Sequence, residues 1–212
     1  MDANTQSSIK KYFAPALSPD KKNRLYRMMD AIDQSTRTPY FLYGGSLIGC
    51  LLYGELLPWD DDIDILCERP EEIAVANFQT VPTWTPPPAD HRILIQKCFD
   101  PTLPLVHRKG YGSRSFPFID MSVYYEEEGE VRHRSVYGGI DAFPRDMIFP
   151  LKRAKLGPIE VNVPNDARAM LDMKFGDWEN TATPPKWDHR NERATRFPND
   201  RFLVSDILAA RG

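Results

Sequence analysis

Four carboxylates, Asp60, Asp61, Asp62 and Asp64, crowd into the run Leu57-Pro58-Trp59-Asp60-Asp61-Asp62-Ile63-Asp64-Ile65-Leu66, which follows Tyr43-Gly44-Gly45-Ser46 by just over a dozen residues. The acids pass directly into the β-prone residues Ile63, Ile65 and Leu66, so the last of them belong to a strand rather than to a solvated acidic tract. Side chains at i and i+2 of a strand share a face. Asp62 and Asp64 therefore point the same way, with Ile63 and Ile65 turned toward the core. Like charges held this close repel one another unless a cation or a shared proton offsets them.

A divalent cation is the first candidate, because Mg²⁺ or Mn²⁺ prefers carboxylate oxygens and water and completes its shell with substrate phosphates. Asp120 is the natural third ligand. It lies within Phe116-Pro117-Phe118-Ile119-Asp120-Met121-Ser122-Val123, where an acid among apolar neighbours must find a partner; taken alone, it reads equally well as a structural acid paired with an arginine. Gly44-Gly45-Ser46 sits at an expected strand-to-helix turn, where glycines let the backbone approach a phosphate and the helix start offers unpaired N–H groups. Gly45 and Ser46 are thus candidate donor-phosphate residues, although a tight turn into a helix cap explains the same residues. The basic loop His107-Arg108-Lys109-Gly110-Tyr111-Gly112-Ser113-Arg114 precedes the Asp120 strand. Lys109 and Arg114 are candidates to offset phosphoryl charge, against the plainer reading of a solvated loop. Phosphate cradle, carboxylate pair and third carboxylate, in that order, describe a nucleotidyltransferase-type phosphoryl-transfer site. A calcium loop fits less well: Asp60, Asp62, Asp64 and Glu71 occupy ligand positions, but Ile65 stands where such a loop needs glycine. Asp60 and Asp61 are assigned to shaping the entry turn or to a second shell behind the metal pair.

The elements needed to position these groups can be read from periodicity. Ser18-Pro19-Asp20 opens a helix from about 19 to 35, with Leu25, Met28, Met29 and Ile32 on one face. Residues 40–43 form a strand, and Ser46 caps a helix ended by Gly54. A second strand covers about 62–67, Arg69-Pro70-Glu71-Glu72 opens a helix that continues to about Phe78, and 81–90, rich in proline, forms an extended connection. Strands follow at 92–99 and 116–125, a hairpin partner at 131–137 and a strand at 159–163. Pro164-Asn165-Asp166 caps a helix over 166–175, and a last helix spans 200–210. Helices alternate with strands early and hairpins come later, which gives an α+β class with a mixed sheet. Residues 1–17 read as a loosely held arm and 18–212 as one domain.

Length and composition agree with a globular chain: 212 residues, 42% hydrophobic, 27% charged and a net charge of -3 leave no basic field for nucleic acid. Cys50, Cys67 and Cys98 lie far apart among apolar residues, as buried thiols in a reducing compartment do. The N-terminus lacks the features of a signal peptide, and Tyr40–Trp59, though mostly apolar, is interrupted by glycines and Glu55. The chain as given reads as cytoplasmic without a membrane span, with peripheral membrane association left open. Lys186-Trp187-Asp188-His189-Arg190-Asn191-Glu192 mixes aromatic and polar groups, either as an acceptor site or as a surface segment with one packed tryptophan.

The stretch Gly44-Gly45-Ser46-Leu47-Ile48-Gly49 with Leu57-Pro58-Trp59-Asp60-Asp61-Asp62-Ile63-Asp64-Ile65 resembles the LicD family, which includes bacterial phosphocholine transferases and the fukutin and fukutin-related proteins. Phe118-Ile119-Asp120, Phe149-Pro150-Leu151, Val161-Asn162-Val163-Pro164 and Phe175-Gly176-Asp177-Trp178 resemble later landmarks of the same family. The resemblance implies a nucleotidyltransferase-like (polymerase-β-type) mixed sheet flanked by helices. It also implies transfer of phosphocholine, ribitol phosphate or a similar group from a CDP-linked donor to a glycan hydroxyl. Asp62, Asp64 and Asp120 would then hold Mg²⁺ or Mn²⁺. An NTP-dependent nucleotidyltransferase releasing pyrophosphate, and a non-catalytic metal- or partner-binding module, are the alternatives.

Overall fold

The computed structural model describes residues 3–84, 95–108, 112–135 and 138–211. Helices α1 (Ala3–Tyr12) and α2 (Pro19–Ser35) lead to strand β1 (Tyr40–Leu42), helix α3 (Gly44–Tyr53) and strand β2 (Ile63–Cys67). Strands β3 (Gln79–Trp84), β4 (Ile95–Phe99), the short pair β5 (Val106–Arg108) and β6 (Gly112–Arg114), and β7 (Phe118–Val123) follow. The central sheet runs β1-β2-β7-β4-β3. Only its β2/β7 pair is parallel; β1/β2, β4/β7 and β3/β4 are antiparallel. The class is the expected α+β with a mixed sheet.

Two-residue periodicity decides which face of this sheet is core. Ile63, Ile65 and Cys67 of β2 and Ile119 and Met121 of β7 are buried in one cluster with Leu25, Met28, Met29 and Ile32 of α2. Asp64 and Asp120 lie at the intervening positions and so face away from that layer. The expected bounds of α2 match, Pro19 standing in its first turn.

Beyond β7 the chain builds a meander, β8 (Tyr125–Glu127), β9 (Glu130–Arg134) and β10 (Ile140–Pro144), then the short helix α4 (Arg145–Ile148) and the hairpin β11 (Lys152–Leu156) with β12 (Ile159–Val163). Helix α5 (Ala167–Phe175) starts where expected, the Asp166 carboxylate accepting the Ala169 N–H. Two minimal ribbons, β13 (Thr181–Ala182) with β16 (Phe202–Leu203) and β14 (Trp187–Asp188) with β15 (Arg193–Ala194), bring the chain to α6 (Val204–Arg211). Among the described residues no helix is long and apolar enough to cross a membrane.

Several expectations are corrected. The N-terminal segment is helical and anchored, not a loose arm: Ile9 and Phe13 are fully buried in a second cluster with Leu57, Trp59 and Ile207. Phe13 meets the Trp59 ring edge-on at 5.2 Å, so this small core pins the residue that precedes the acidic run. The helix expected to open at Arg69-Pro70 and continue to about Phe78 is only a 3₁₀ turn over Pro70–Glu72, because positions 73 and 75 supply Ile73 and Val75 to the main core without a helical stripe between them. Residues 81–84, expected to be connection, are strand β3, and 85–94, including the start of the expected 92–99 strand, lie outside the described residues.

Gly49 is the tightest backbone approach in α3. A Cβ there would meet the Glu55 carbonyl oxygen at 2.5 Å and the Leu57 nitrogen at 2.6 Å. Backbone cannot rotate out of the way as a side-chain tip can. Gly49→Ala should therefore destabilise the protein by about 1–3 kcal/mol, the cost of overpacking, read as a lower midpoint in urea; an unchanged midpoint would show that α3 has room to shift.

Candidate active site

Strand register places three charged groups in one row across the sheet. Asp64 of β2 is the direct partner of Asp120 on β7, and Asp120 is the direct partner of Lys97 on β4. Lys97 Nζ donates to both Asp120 oxygens, at 2.5 and 2.7 Å, and lies 3.6 Å from the centre of the Phe118 ring. Asp62, just before β2, is 1% exposed. One oxygen from each of Asp62, Asp64 and Asp120 lies within 4.8 Å of the others. Asp62 Oδ2 is buried without a hydrogen-bond partner. A hard all-oxygen donor set around an orphaned carboxylate oxygen suits Mg²⁺ or Mn²⁺.

Helix α3 approaches this cluster end-on. Tyr43, not Ser46, is its N-cap, and the helix starts at Gly44. Gly44 has φ +57° and lines the cleft; a Cβ on it would lie 3.3 Å from Asp64 Oδ2. Glycine relieves the left-handed conformation and leaves the approach open. The N–H groups of this first turn have no intrahelical partner. Gly45, expected on the donor phosphates, instead faces Asp60, whose Oδ2 would stand 2.6 Å from a Cβ there. Ser46 is likewise reassigned: it is fully buried, and its Oγ accepts the Asp64 N–H at 2.9 Å. It ties the helix to the strand carrying Asp64.

The basic loop contributes less than expected. Lys109 lies outside the described residues. Arg114 is buried beside Phe118, and its guanidinium pairs with Glu192, with Nε at 2.9 Å. Glu192 in turn lies 4.0 Å from Lys97 Nζ. Charges thus alternate from Asp120 through Lys97 and Glu192 to Arg114, which pairs the arginine inside the protein instead of presenting it to a phosphate.

The segment 187–194 supplies the residues that sequence reasoning missed. His189 Nδ1 lies 2.6 Å from Asp61 Oδ1, its backbone N–H donates to Asp61 Oδ2 at 3.1 Å, and Nε2 stands 3.2 Å from Asp62 Oδ2. The imidazole meets Phe118 edge-on at 5.5 Å. The only signal for His189 and Glu192 was their mixed aromatic and polar surroundings; for Lys97 it was a lone lysine in an otherwise buried strand. Together these elements line a cleft of about 550 Å³ that Asp64, Asp120, Lys97, Gly44, His189 and Lys174 face. That is the size of a small-ligand site. On one side, Lys174 Nζ donates to Asp141 Oδ2 at 2.5 Å, and the Tyr43 hydroxyl donates to the same oxygen.

Residues 37–166 match the model of the LicD/FKTN/FKRP nucleotidyltransferase-domain family, more than half of the chain. The chain belongs to the LicD family. Two uncharacterized rickettsial proteins are also similar: one of Rickettsia typhi, 26% identical over 84% of this chain and 53% of its own length, and one of Rickettsia prowazekii, 24% identical over 84% of this chain and 62% of its own length. The chain therefore spans between about half and three-fifths of these relatives. Asp62, Asp64, Lys97 and Asp120 fall inside the LicD match, whereas Lys174, His189 and Glu192 lie beyond it.

Burial dominates the acid–base balance of this LicD chain's acidic run. Burial, then the charges of Asp64 and Asp61, pushes Asp60 up to about 8. Burial and then the Asp120 charge push Asp64 up to about 6, and burial pushes Asp62 up against the opposing His189 charge, with the neighbouring carboxylates adding to the rise. Burial alone would lower His189, but the carboxylates of Asp62 and Asp61 prevail and raise it to about 10. Folded values above the unfolded ones mean that the carboxylates favour the folded state while protonated, and that this contribution is lost as pH rises through about 6 for Asp64 and about 8 for Asp60. His133, lowered by burial, acts in the opposite sense near neutrality. In EDTA the melting temperature should accordingly fall between pH 5 and pH 8, and Asp60→Asn should flatten that fall. A steeper fall in the variant would overturn the assignment.

Proposed function

We propose that this chain is a metal-dependent transferase domain of nucleotidyltransferase-like fold, which moves a phosphorylated alcohol from a CDP-linked donor to a hydroxyl of a glycan acceptor. The observation that carries this reading is the register of Asp64 against Asp120 on the parallel strand pair, both lining a cleft, with the orphaned and buried Asp62 oxygen close to them. Membership of the LicD family supports the reaction class.

Asp62, Asp64 and Asp120 would hold Mg²⁺ or Mn²⁺, whose charge would offset that on the transferring phosphoryl group. The remaining work falls to the chain itself. The first turn of α3 presents N–H groups at Gly44, and the macrodipole there favours an anionic donor. Lys97 donates to both oxygens of Asp120 and so holds its carboxylate in place beside Asp64. Lys174, paired with Asp141, adds a cation to the lining of the same cleft. Acceptor and donor head group are proposed only as classes, a glycan hydroxyl and a phosphorylated alcohol.

A panel of CDP-choline, CDP-ribitol, CDP-glycerol and the four NTPs, with and without Mg²⁺, tests the proposal. CMP release that requires metal and acceptor supports it; pyrophosphate release from an NTP would assign the same acids to nucleotidyl transfer, and neither product would return the chain to a binding role. Asp64→Ala should lower turnover by at least about 10²–10³-fold, the scale of losing one electrostatic contact to a developing charge, with circular dichroism unchanged. Because the carboxylates must be ionised to bind a cation, millimolar Mg²⁺ should raise the melting temperature more at pH 8 than at pH 5, as differential scanning fluorimetry would show.

A further inference from the structure

His189 and Asp62 face each other in a way that the all-oxygen site does not explain. His189 Nδ1 and its backbone N–H both point at the Asp61 carboxylate. An ionised carboxylate only accepts hydrogen bonds, so Nδ1 is the ring position that donates to Asp61 and Nε2 is the one turned toward Asp62. Nε2 lies 3.2 Å from Asp62 Oδ2, yet that oxygen has no hydrogen-bond partner and is buried. A proton on Nε2 is therefore not aligned to satisfy it.

The separation is what two ligands of one metal ion show. With bonds of about 2.0–2.2 Å and an angle near 90–110° at the metal, two ligand atoms stand roughly 2.8–3.6 Å apart. Asp61 then occupies the position from which a carboxylate commonly orients a metal-bound histidine through its other ring nitrogen. Asp61, Asp62 and His189 each offer an atom within 4.8 Å of the others. The imidazole is held by Asp61, by the Phe118 ring edge and by the ribbon that Asn191 closes onto Asp188 at 2.8 and 3.0 Å, so it is placed before any ion arrives.

We propose that His189 Nε2 and Asp62 Oδ2 are ligands of a divalent metal ion in a mixed nitrogen–oxygen site, oriented by Asp61 and sharing Asp62 with the Asp62–Asp64–Asp120 site. This rests on the reading that Asp62 is a metal ligand and goes beyond it, since the nitrogen donor comes from residue 189, past the end of the family match at residue 166. Nitrogen and oxygen donors together suit Mn²⁺, Zn²⁺ or Fe²⁺ better than Mg²⁺. The two neighbouring sites would thus differ in metal preference, and segment 187–194 would be fastened to the acidic run by the ion.

Mn²⁺ alone is the probe, because it accepts both donor types and is paramagnetic. Electron spin-echo modulation of the Mn²⁺-loaded full chain should show ¹⁴N coupling from an imidazole, and the coupling should vanish in His189→Gln but persist in His133→Gln. Titration followed by electron paramagnetic resonance should show a second Mn²⁺ equivalent in the native chain that His189→Gln loses. Asp61→Asn should keep the coupling and weaken that equivalent by about 10–100-fold. Absence of ¹⁴N coupling in the native protein overturns the proposal without recourse to any variant, as does its persistence in folded His189→Gln. Mn²⁺ bound without nitrogen coupling would overturn this site and leave the transferase reading standing; no Mn²⁺ bound at all would overturn both.

Discussion

Negative charge concentrated where water cannot screen it is the constraint around which this molecule is arranged. Asp64 stands opposite Asp120 on neighbouring strands, and Asp62 is buried beside them. Two unit charges about 4 Å apart repel by roughly 4 kcal/mol at an effective dielectric near 20, which is a large part of the stability of an ordinary domain. Three nearby devices lessen that repulsion: the Lys97 ammonium on Asp120, the His189 imidazole between Asp61 and Asp62, and the start of α3 beneath Asp60 and Asp64. None of them gives a hydrogen bond to Asp62 Oδ2, and Asp60 Oδ2 is likewise buried without one.

Much of the remaining architecture serves to hold this arrangement open. Ser46 ties α3 to the β2 backbone, and Gly49 lets the same helix lie directly against the 55–57 loop. Trp59, immediately before the acids, is clamped by the small core that α1 and α6 build with Phe13 and Ile207. The two ends of the chain therefore brace the start of the acidic run. From the other side, Glu192 links Lys97 to Arg114, so the C-terminal segment touches both the acids and the cation that balances them.

The parts of the fold legible in the sequence were those with a strong local period. The α2 helix, β2, the β12 strand and α5 with its Asp166 cap all follow from spacing and capping residues. Where packing rather than local preference decides, the reading failed. Residues 73–78 contain enough apolar positions for a helix but are drawn out toward the sheet, and residues 3–12 gain a fixed place only because α6 offers them an apolar partner. Asp62, Asp64 and Asp120 were legible as a set because alternation fixes which face a strand acid takes. Gly45, Ser46 and Arg114 were not, since each has a competing internal partner some 15 to 80 residues away in the chain, at Asp60, Asp64 and Glu192.

The sequence by itself therefore determined the acids, their common face, the class of fold and the family, all of which rest on residue type and short spacing. Tertiary structure alone decided that Asp64 and Asp120 are direct neighbours, because strand order and parallel register are set by the packing of the whole sheet. It alone brought Lys97 to one side of that pair and His189 to the other. Nothing in residues 186–192 announces that their histidine will meet Asp61 and Asp62, for the contact spans 128 positions and exists only once both segments have been folded over the same edge of the sheet.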